Sequence, residues 1–353
     1  MGIKPNGKLA LVKELLYAAK VQNGEVQRGE LIKNDTEKFD AHGNLIEWSS
    51  NYITYNEGFK FLYNYDGNFR CIEDLQYDAK GKLTEKTTYE YKNNGEIVIR
   101  TLFILGDFIN KTTTTHDYNG NIIEETKQFV DGFVSKNTYS YDSNGNKVEQ
   151  KLFKDDHLDQ GYLYKYDKHG NKIEEHYFTP EGDWTDTKWI YNENGKLIEY
   201  ACFSESGCFQ NLNTYEYNEK GNLIKQCHFN DNDNNILHCI TLYKYDDFGN
   251  TIEESEYNPK GDLNIKTTFN YDVNNNLIEE IVYDPDDDST TIKASYKYNN
   301  FGELIEEFQN DLENGYSKTI KFEDYDEQGN WLKRISIDVN KEIHYVERQI
   351  EYY

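Results

Sequence analysis

The residues closest to chemistry in this sequence are two Cys-His pairs. In QCHFNDNDNNILHC (226–239), Cys227 and His228 mirror His238 and Cys239 about an Asn/Asp-rich centre. Cysteine and histidine together suit a tetrahedral zinc site. In a hairpin the mirror predicts Cys227 opposite Cys239 and His228 opposite His238. Adjacent strand residues point to opposite faces, however, so four such donors do not easily converge. A cross-strand disulfide fits better than a metal, and two ordinary pairs with free thiols fit best. Asp231, Asp233 and Asn235 alternate in the same turn like the start of a calcium loop, and DPDDD at 284–288 is dense in carboxylate. Neither has the Gly and distal Glu of an EF-hand loop, so solvated turn carboxylates are the expectation. Cys202 and Cys208 flank another turn and can be bridged, whereas Cys71 has no evident partner. The 5 cysteines are an odd number, which excludes a complete disulfide framework.

Ile-Glu-Glu runs at Glu124/Glu125, Glu174/Glu175, Glu253/Glu254, Glu279/Glu280 and Glu306/Glu307 imitate paired catalytic acids. They recur along the chain, and an active site is not copied along a scaffold. Adjacent glutamates also face opposite ways in a strand, so cross-strand pairing with lysine accounts for them better. Aromatic residues are the stronger candidates for function, because an exposed row of rings stacks on sugars or anchors a partner. The candidate ligand-binding residues are Trp184 and Trp189, which lie off the repeat described next, together with Trp48 and Trp331. No catalytic constellation and no cofactor motif emerges. The expectation is a protein that is not an enzyme and holds no cofactor or metal.

These residues sit on a repeat. A turn glycine recurs at Gly43, Gly67, Gly95, Gly120, Gly145, Gly170, Gly195, Gly221, Gly249, Gly302 and Gly329, with Asn275 in the same role, which makes about twelve units. The steps from Gly95 to Gly195 are each 25 residues (95, 120, 145, 170, 195). Thr138–Phe153 shows the unit well: Tyr-x-Tyr-Asp, a turn at Asn-Gly-Asn, then a run ending in an aromatic. Asp or Asn opens the turn by bonding its own backbone, and Gly in the left-handed conformation closes a type I turn with a bulge. Asn275 substitutes because Asn tolerates that conformation. A looser second turn follows half a period later, as in FTPEGD (178–183) and YNPKGD (257–262). Two turns per unit leave two strands of roughly seven residues, rich in Tyr, Ile, Val, Phe and Thr. The fold class is therefore all-β, an extended, twisted or spiralling antiparallel meander of about 24 strands. Whether such a sheet closes is not written in the repeat.

One continuous domain follows, since each unit needs its neighbour to bury its faces. Residues 1–38 are read as an N-terminal capping hairpin, 39–335 as the array, and 336–353 as a closing strand. LALVKELLYAAK (9–20) carries helix formers, but Val12, Tyr17 and Val21 followed by Asn23-Gly24 favour the hairpin. The hydrophobic fraction is 37%, and 31 tyrosines supply much of the missing apolar area. With 38 basic against 64 acidic residues the net charge is −26, which disfavours nucleic acid and anionic membranes. No apolar run is long enough for a membrane-crossing helix, so no membrane insertion is expected. MGIKPNGKLALVKELLYAAK lacks the apolar core of a secretory signal.

At YDSNGN (141–146), YDKHGN (166–171), YNEKGN (217–222), YDDFGN (245–250) and YDEQGN (325–330), the chain resembles the YD-repeat, or RHS-repeat, family of bacterial surface and toxin-associated proteins. The resemblance spans about residues 39–335. This chain has Asn where the family favours Arg after the Gly, and a longer period. Its ending, GNWLKR with VERQIEYY, resembles that of exported YD-repeat proteins of the Bacteroidetes. The resemblance implies a spiralling β-sheet at the cell surface or in the periplasm that binds a glycan or a protein partner without catalysis. The alternative it implies is a structural spacer or an RHS-like shielding wall.

Overall fold

The computed structural model describes residues 7–23, 25–204, 209–230, 236–285, 289–299, 302–311, 316–338 and 342–353. The chain is one antiparallel sheet of 26 strands, from β1 (Leu9–Gln22) and β2 (Glu25–Phe39) to β25 (Trp331–Ile337) and β26 (Ile343–Tyr352). Each strand pairs with the next in sequence. β26 then pairs with β1 over Leu9 to Ala18, so the sheet closes into a barrel. The all-β meander expected from the repeat is present, and the N-terminal hairpin supplies the two strands beyond the predicted 24 or so. β1 is not an open edge: β2 covers one side and β26 the other.

The repeat turns hold the strands apart by side-chain chemistry. In the unit at Asp142, the carboxylate Oδ1 accepts the N–H groups of Asn144 and Asn146, each at 2.9 Å, and Oδ2 accepts Asn146 Nδ2 at 3.0 Å. Gly145 stands at φ 84° and donates its N–H to the Asp142 carbonyl. The Asn after the glycine is thus the donor that locks the aspartate. At Asp66 the same place is taken by Arg70, whose Nε reaches Oδ2 at 2.8 Å. There the left-handed residue is Phe69 (φ 62°), not Gly67, which corrects the assignment of Gly67 as a turn glycine. Asn275 takes the left-handed place as expected, at φ 65°. Meander topology puts every Asp/Asn-opened repeat turn on one rim and every second turn on the other.

The wall is a single layer. The substantial contacts of each strand are with its sheet neighbours, β2 and β26 also touching across β1. Accessible surface is 21583 Å², against about 15,000 Å² for a compact monomer of this mass. Both faces are therefore wetted. Buried apolar side chains gather into a cluster at the seam, where Leu9, Val12 and Phe39 pack with Leu45, Ile350 and Tyr352. Elsewhere, packing is local. The distal end of the Phe178 ring covers Gly161, its paired residue, and a Cβ built at Gly161 would stand 2.3 Å from Phe178 Cζ. Gly161→Ala is expected to cost about 1–2 kcal/mol by pushing that ring off. Urea unfolding reads this, and an unchanged midpoint would mean that the ring moves without penalty.

Candidate functional site: the tyrosine face of the barrel wall

Strand alternation divides the wall into two chemically different faces. The tyrosine face carries both tyrosines of each Tyr-x-Tyr-Asp segment. The tyrosine before the turn bridges back to the preceding strand: Tyr141, Tyr166, Tyr217 and Tyr245 donate their hydroxyls to the carbonyls of Ile122, Lys147, Leu197 and Leu223 at 2.7–2.8 Å. Tyr353 repeats the contact across the seam, to the Phe39 carbonyl at 2.7 Å. The tyrosine two residues earlier lies deeper in the row. Burial, with Glu175 adding to it, pushes the Tyr164 phenol up to about 12.

Lysines interleave with this row over part of its length. Lys147 Nζ lies 5.4 Å from the Tyr139 ring and 5.3 Å from the Tyr164 ring. Lys172 Nζ lies 5.5 Å from Tyr164 and 4.3 Å from Trp189, and it donates to Glu175 at 2.7 Å. These lysines follow the Gly-Asn of their turns. The sequence held that signal, but residue type alone does not reveal which ring a lysine covers.

The opposite face carries ion pairs. In four of the five Ile-Glu-Glu runs the first glutamate, Glu174, Glu253, Glu279 or Glu306, takes lysine from a neighbouring strand, as the repeat predicted, whereas Glu124 accepts the Thr126 hydroxyl instead. Glu253 bonds Lys244 and Lys266, each at 2.8 Å, which draws its carboxyl down to about 2. Glu306 lies 2.7 Å from Lys297 and 3.6 Å from Lys321. The second glutamate points to the tyrosine face. Neither face carries a continuous apolar band, because ionised groups recur at mid-strand on both. No helix among the described residues is long and apolar enough to cross a membrane.

The four tryptophans do not gather. Within β14 (Trp184–Tyr191), Trp184 and Trp189 occupy opposite faces. Trp189 joins the tyrosine face, 5.7 Å from the Tyr200 ring. Trp184 stands beside His176, whose Nδ1 lies 2.6 Å from Asp186 Oδ1. Trp48 stacks on Phe61 at 5.4 Å and meets Phe59 edge-on at 4.8 Å. Trp331 is 5% exposed and lies beneath the Arg348 guanidinium, 3.6 Å from the ring centre.

The Cys-His hairpin is displaced by one residue from its predicted register. β17 (Leu223–Asn230) and β18 (Ile236–Tyr245) pair His228 with Cys239 and Cys227 with Ile240, and a bulge absorbs His238. The symmetric facing of Cys with Cys and His with His is thus overturned by the extra residue. The two imidazoles still meet, edge to face, at 5.7 Å. His228 Nδ1 contacts Asn213 Oδ1 at 2.8 Å. Cys227 and Cys239 are free thiols, and burial pushes the Cys239 thiol up. Asp231 and Asp233 lie outside the described residues, as do Cys208 and 286–288. Among the described residues no three His, Cys, Asp or Glu side chains come together as metal ligands.

No protein-family model matches the chain. No curated protein matches it either. Among solved structures it is similar to TcdB2-TccC3-TEV, at 11% identity over 91% of this chain and 24% of that one, with a TM-score of 0.31. It is also similar to TcdB2-TccC3 without its hypervariable C-terminal region, at 11% identity over 94% of this chain and 26% of that one, with a TM-score of 0.23. A porin-like protein from Bacteroides uniformis matches at 12% identity over 97% of this chain and 96% of that one, with a TM-score of 0.18. The chain thus spans about a quarter of the TcdB2-TccC3 chains. Scores this low carry no argument about fold or function. A large closed β-barrel is by its own geometry compatible with an enclosing or structural role.

Proposed function

We propose that this chain is a non-catalytic shell: a closed β-wall around a water-accessible interior, whose tyrosine face meets a partner. The observation that carries this reading is the pairing of β26 with β1 in a wall wetted on both faces. At about 4.8 Å per strand, 26 strands make a wall of roughly 125 Å around, before strand tilt widens it. The ionised groups at mid-strand on both faces disfavour a lipid-facing barrel. The net charge of −26 disfavours nucleic acid. A protein partner is favoured over a glycan along Tyr139–Trp189, because the chain's own lysines already lie on those rings.

Small-angle scattering tests the shell. With strands tilted by about 40°, such a hollow wall has a radius of roughly 26 Å and a radius of gyration of at least about 25 Å, whereas a compact chain of 353 residues has about 20 Å. A value near the compact one, with a bell-shaped distance distribution, would overturn the hollow reading.

A further inference from the structure

We propose that the tyrosine face from β18 to β24 (Tyr316–Tyr325) is a docking surface for an extended lysine-rich peptide segment. The inference rests on reading this face as a contact surface, but not on the hollow interior. Its basis is a comparison of the repeat with itself. In the unit at 164–189, Glu175 stands opposite Tyr164 and beside Trp189, and Lys172 fills the place between the two rings. The same constellation recurs further on without the lysine. Glu254 pairs with Tyr243, Glu280 with Phe269 and Glu307 with Tyr296, each in the register of Glu175 with Tyr164. The positions equivalent to Lys172 are Thr251, Leu277 and Leu304.

The molecule thus builds one cation site in which its own ammonium sits, and three of the same design in which none does. Among the described residues no basic side chain pairs with Glu254, Glu280 or Glu307. Of the lysines in the strands β18 to β24, Lys244, Lys266, Lys293, Lys297 and Lys321 serve glutamates on the opposite face, and Lys318, on the tyrosine face, stands opposite Gln309 and makes no ion pair with Glu307. A carboxylate between aromatic rings attracts an ammonium through both charge and ring quadrupole. A surplus of 26 negative charges favours the same partner. Spacing narrows it further. The three sites lie on every second strand, about 9.6 Å apart. In a polyproline-like chain every third residue faces the same way at about 9.3 Å. The fitting ligand therefore carries Lys-x-x-Lys-x-x-Lys.

The test is fluorescence anisotropy at physiological salt, with a labelled Lys-Gly-Ser repeat peptide and its fully acetylated form as probes. The wild-type chain should bind the first and ignore the second. Combined Glu254→Gln, Glu280→Gln and Glu307→Gln should weaken binding at least about tenfold. Combined Glu193→Gln, Glu219→Gln and Glu327→Gln, which removes the same charge from exposed rim turns, should change it little. Thr251→Lys, Leu277→Lys and Leu304→Lys together should fill the sites from within and abolish binding, with the β-sheet circular dichroism retained. The proposal is overturned if the peptide does not bind, if both glutamine sets weaken it equally, or if the lysine-filled variant binds like wild type. Scattering on the same samples reports the shell independently, so the two readings fail separately.

Discussion

Glu14→Gln is expected to destabilise the protein by about 3 kcal/mol and to open the barrel. Glu14 is the carboxylate of the seam. Arg348 Nε donates to its Oε1 at 2.9 Å, and the Arg348 Nη2 also binds that oxygen. The Arg348 side chain is only 2% exposed and lies over Trp331. Arg334 shares the neighbourhood. Its Nε is buried without a hydrogen-bond partner, and burial pushes its guanidinium down from the ordinary arginine value, Glu14 opposing and Arg348 adding to the shift. Two buried cations therefore depend on one carboxylate. Removing it leaves both uncompensated, which is the costly way to break a buried pair. Arg348→Met should cost less, because it removes a charge together with its need for a partner and leaves Glu14 28% exposed. Hydrogen exchange discriminates the location: β1 and β26 should lose protection first, ahead of strands such as β14. Uniform loss across the wall, or a smaller cost for Glu14→Gln than for Arg348→Met, would contradict this account of the seam.

The second large effect is acid opening. Asp40, Asp117, Asp142, Asp167 and Asp272 are each held below the ordinary aspartate value, chiefly by the side chain of the Asn four residues on, with backbone N–H groups adding to it. Arg70 does the same to Asp66. On the ion-pair face Glu253 falls to about 2 through its two lysines. A carboxyl whose folded value lies below its unfolded value contributes stability that is fully present above the unfolded value. That stability is lost as the pH falls through the folded value. The window here opens near pH 4 and runs down towards about 2, where Glu253 titrates. The same turn recurs around one rim, so the losses fall together and the melting temperature should drop steeply below pH 4. Thermal melts followed by circular dichroism from pH 7 to pH 2 measure this. Asp→Asn at several of these turns should flatten the profile, since Asn192, Asn218 and Asn299 already open such turns with an amide oxygen. A melting temperature that stays level to pH 2.5 would remove the carboxylates from the account of rim stability.

Much of this was legible beforehand because the repeat is local. Turn chemistry at Asp142–Asn146, the alternation of Tyr139 and Tyr141, and the pairing of the first glutamates with lysine all depend on residues within a unit or its neighbour. The candidate site was less legible. Trp184 and Trp189 look like one aromatic patch in sequence, yet an odd spacing within a strand places them on opposite faces. The Cys-His hairpin reads as a symmetric mirror, and one bulged residue at His238 shifts its register. Trp331 reads in sequence as a candidate exposed aromatic, but Arg348, distant along β26, covers it.

The sequence by itself determined the strand, the turn, the period and the two-faced chemistry of the wall, because each follows from steric and hydrogen-bonding preferences over a few residues. Only the tertiary structure decided that the wall closes. Closure joins Leu9–Ala18 to His344–Tyr352. A periodic pattern specifies how each unit meets the next, but not how many units bring the last back to the first. That number follows from accumulated twist and stagger along the sheet. Closure then rests on a non-repeated set, Glu14, Arg334, Arg348 and Trp331, which only the seam brings together.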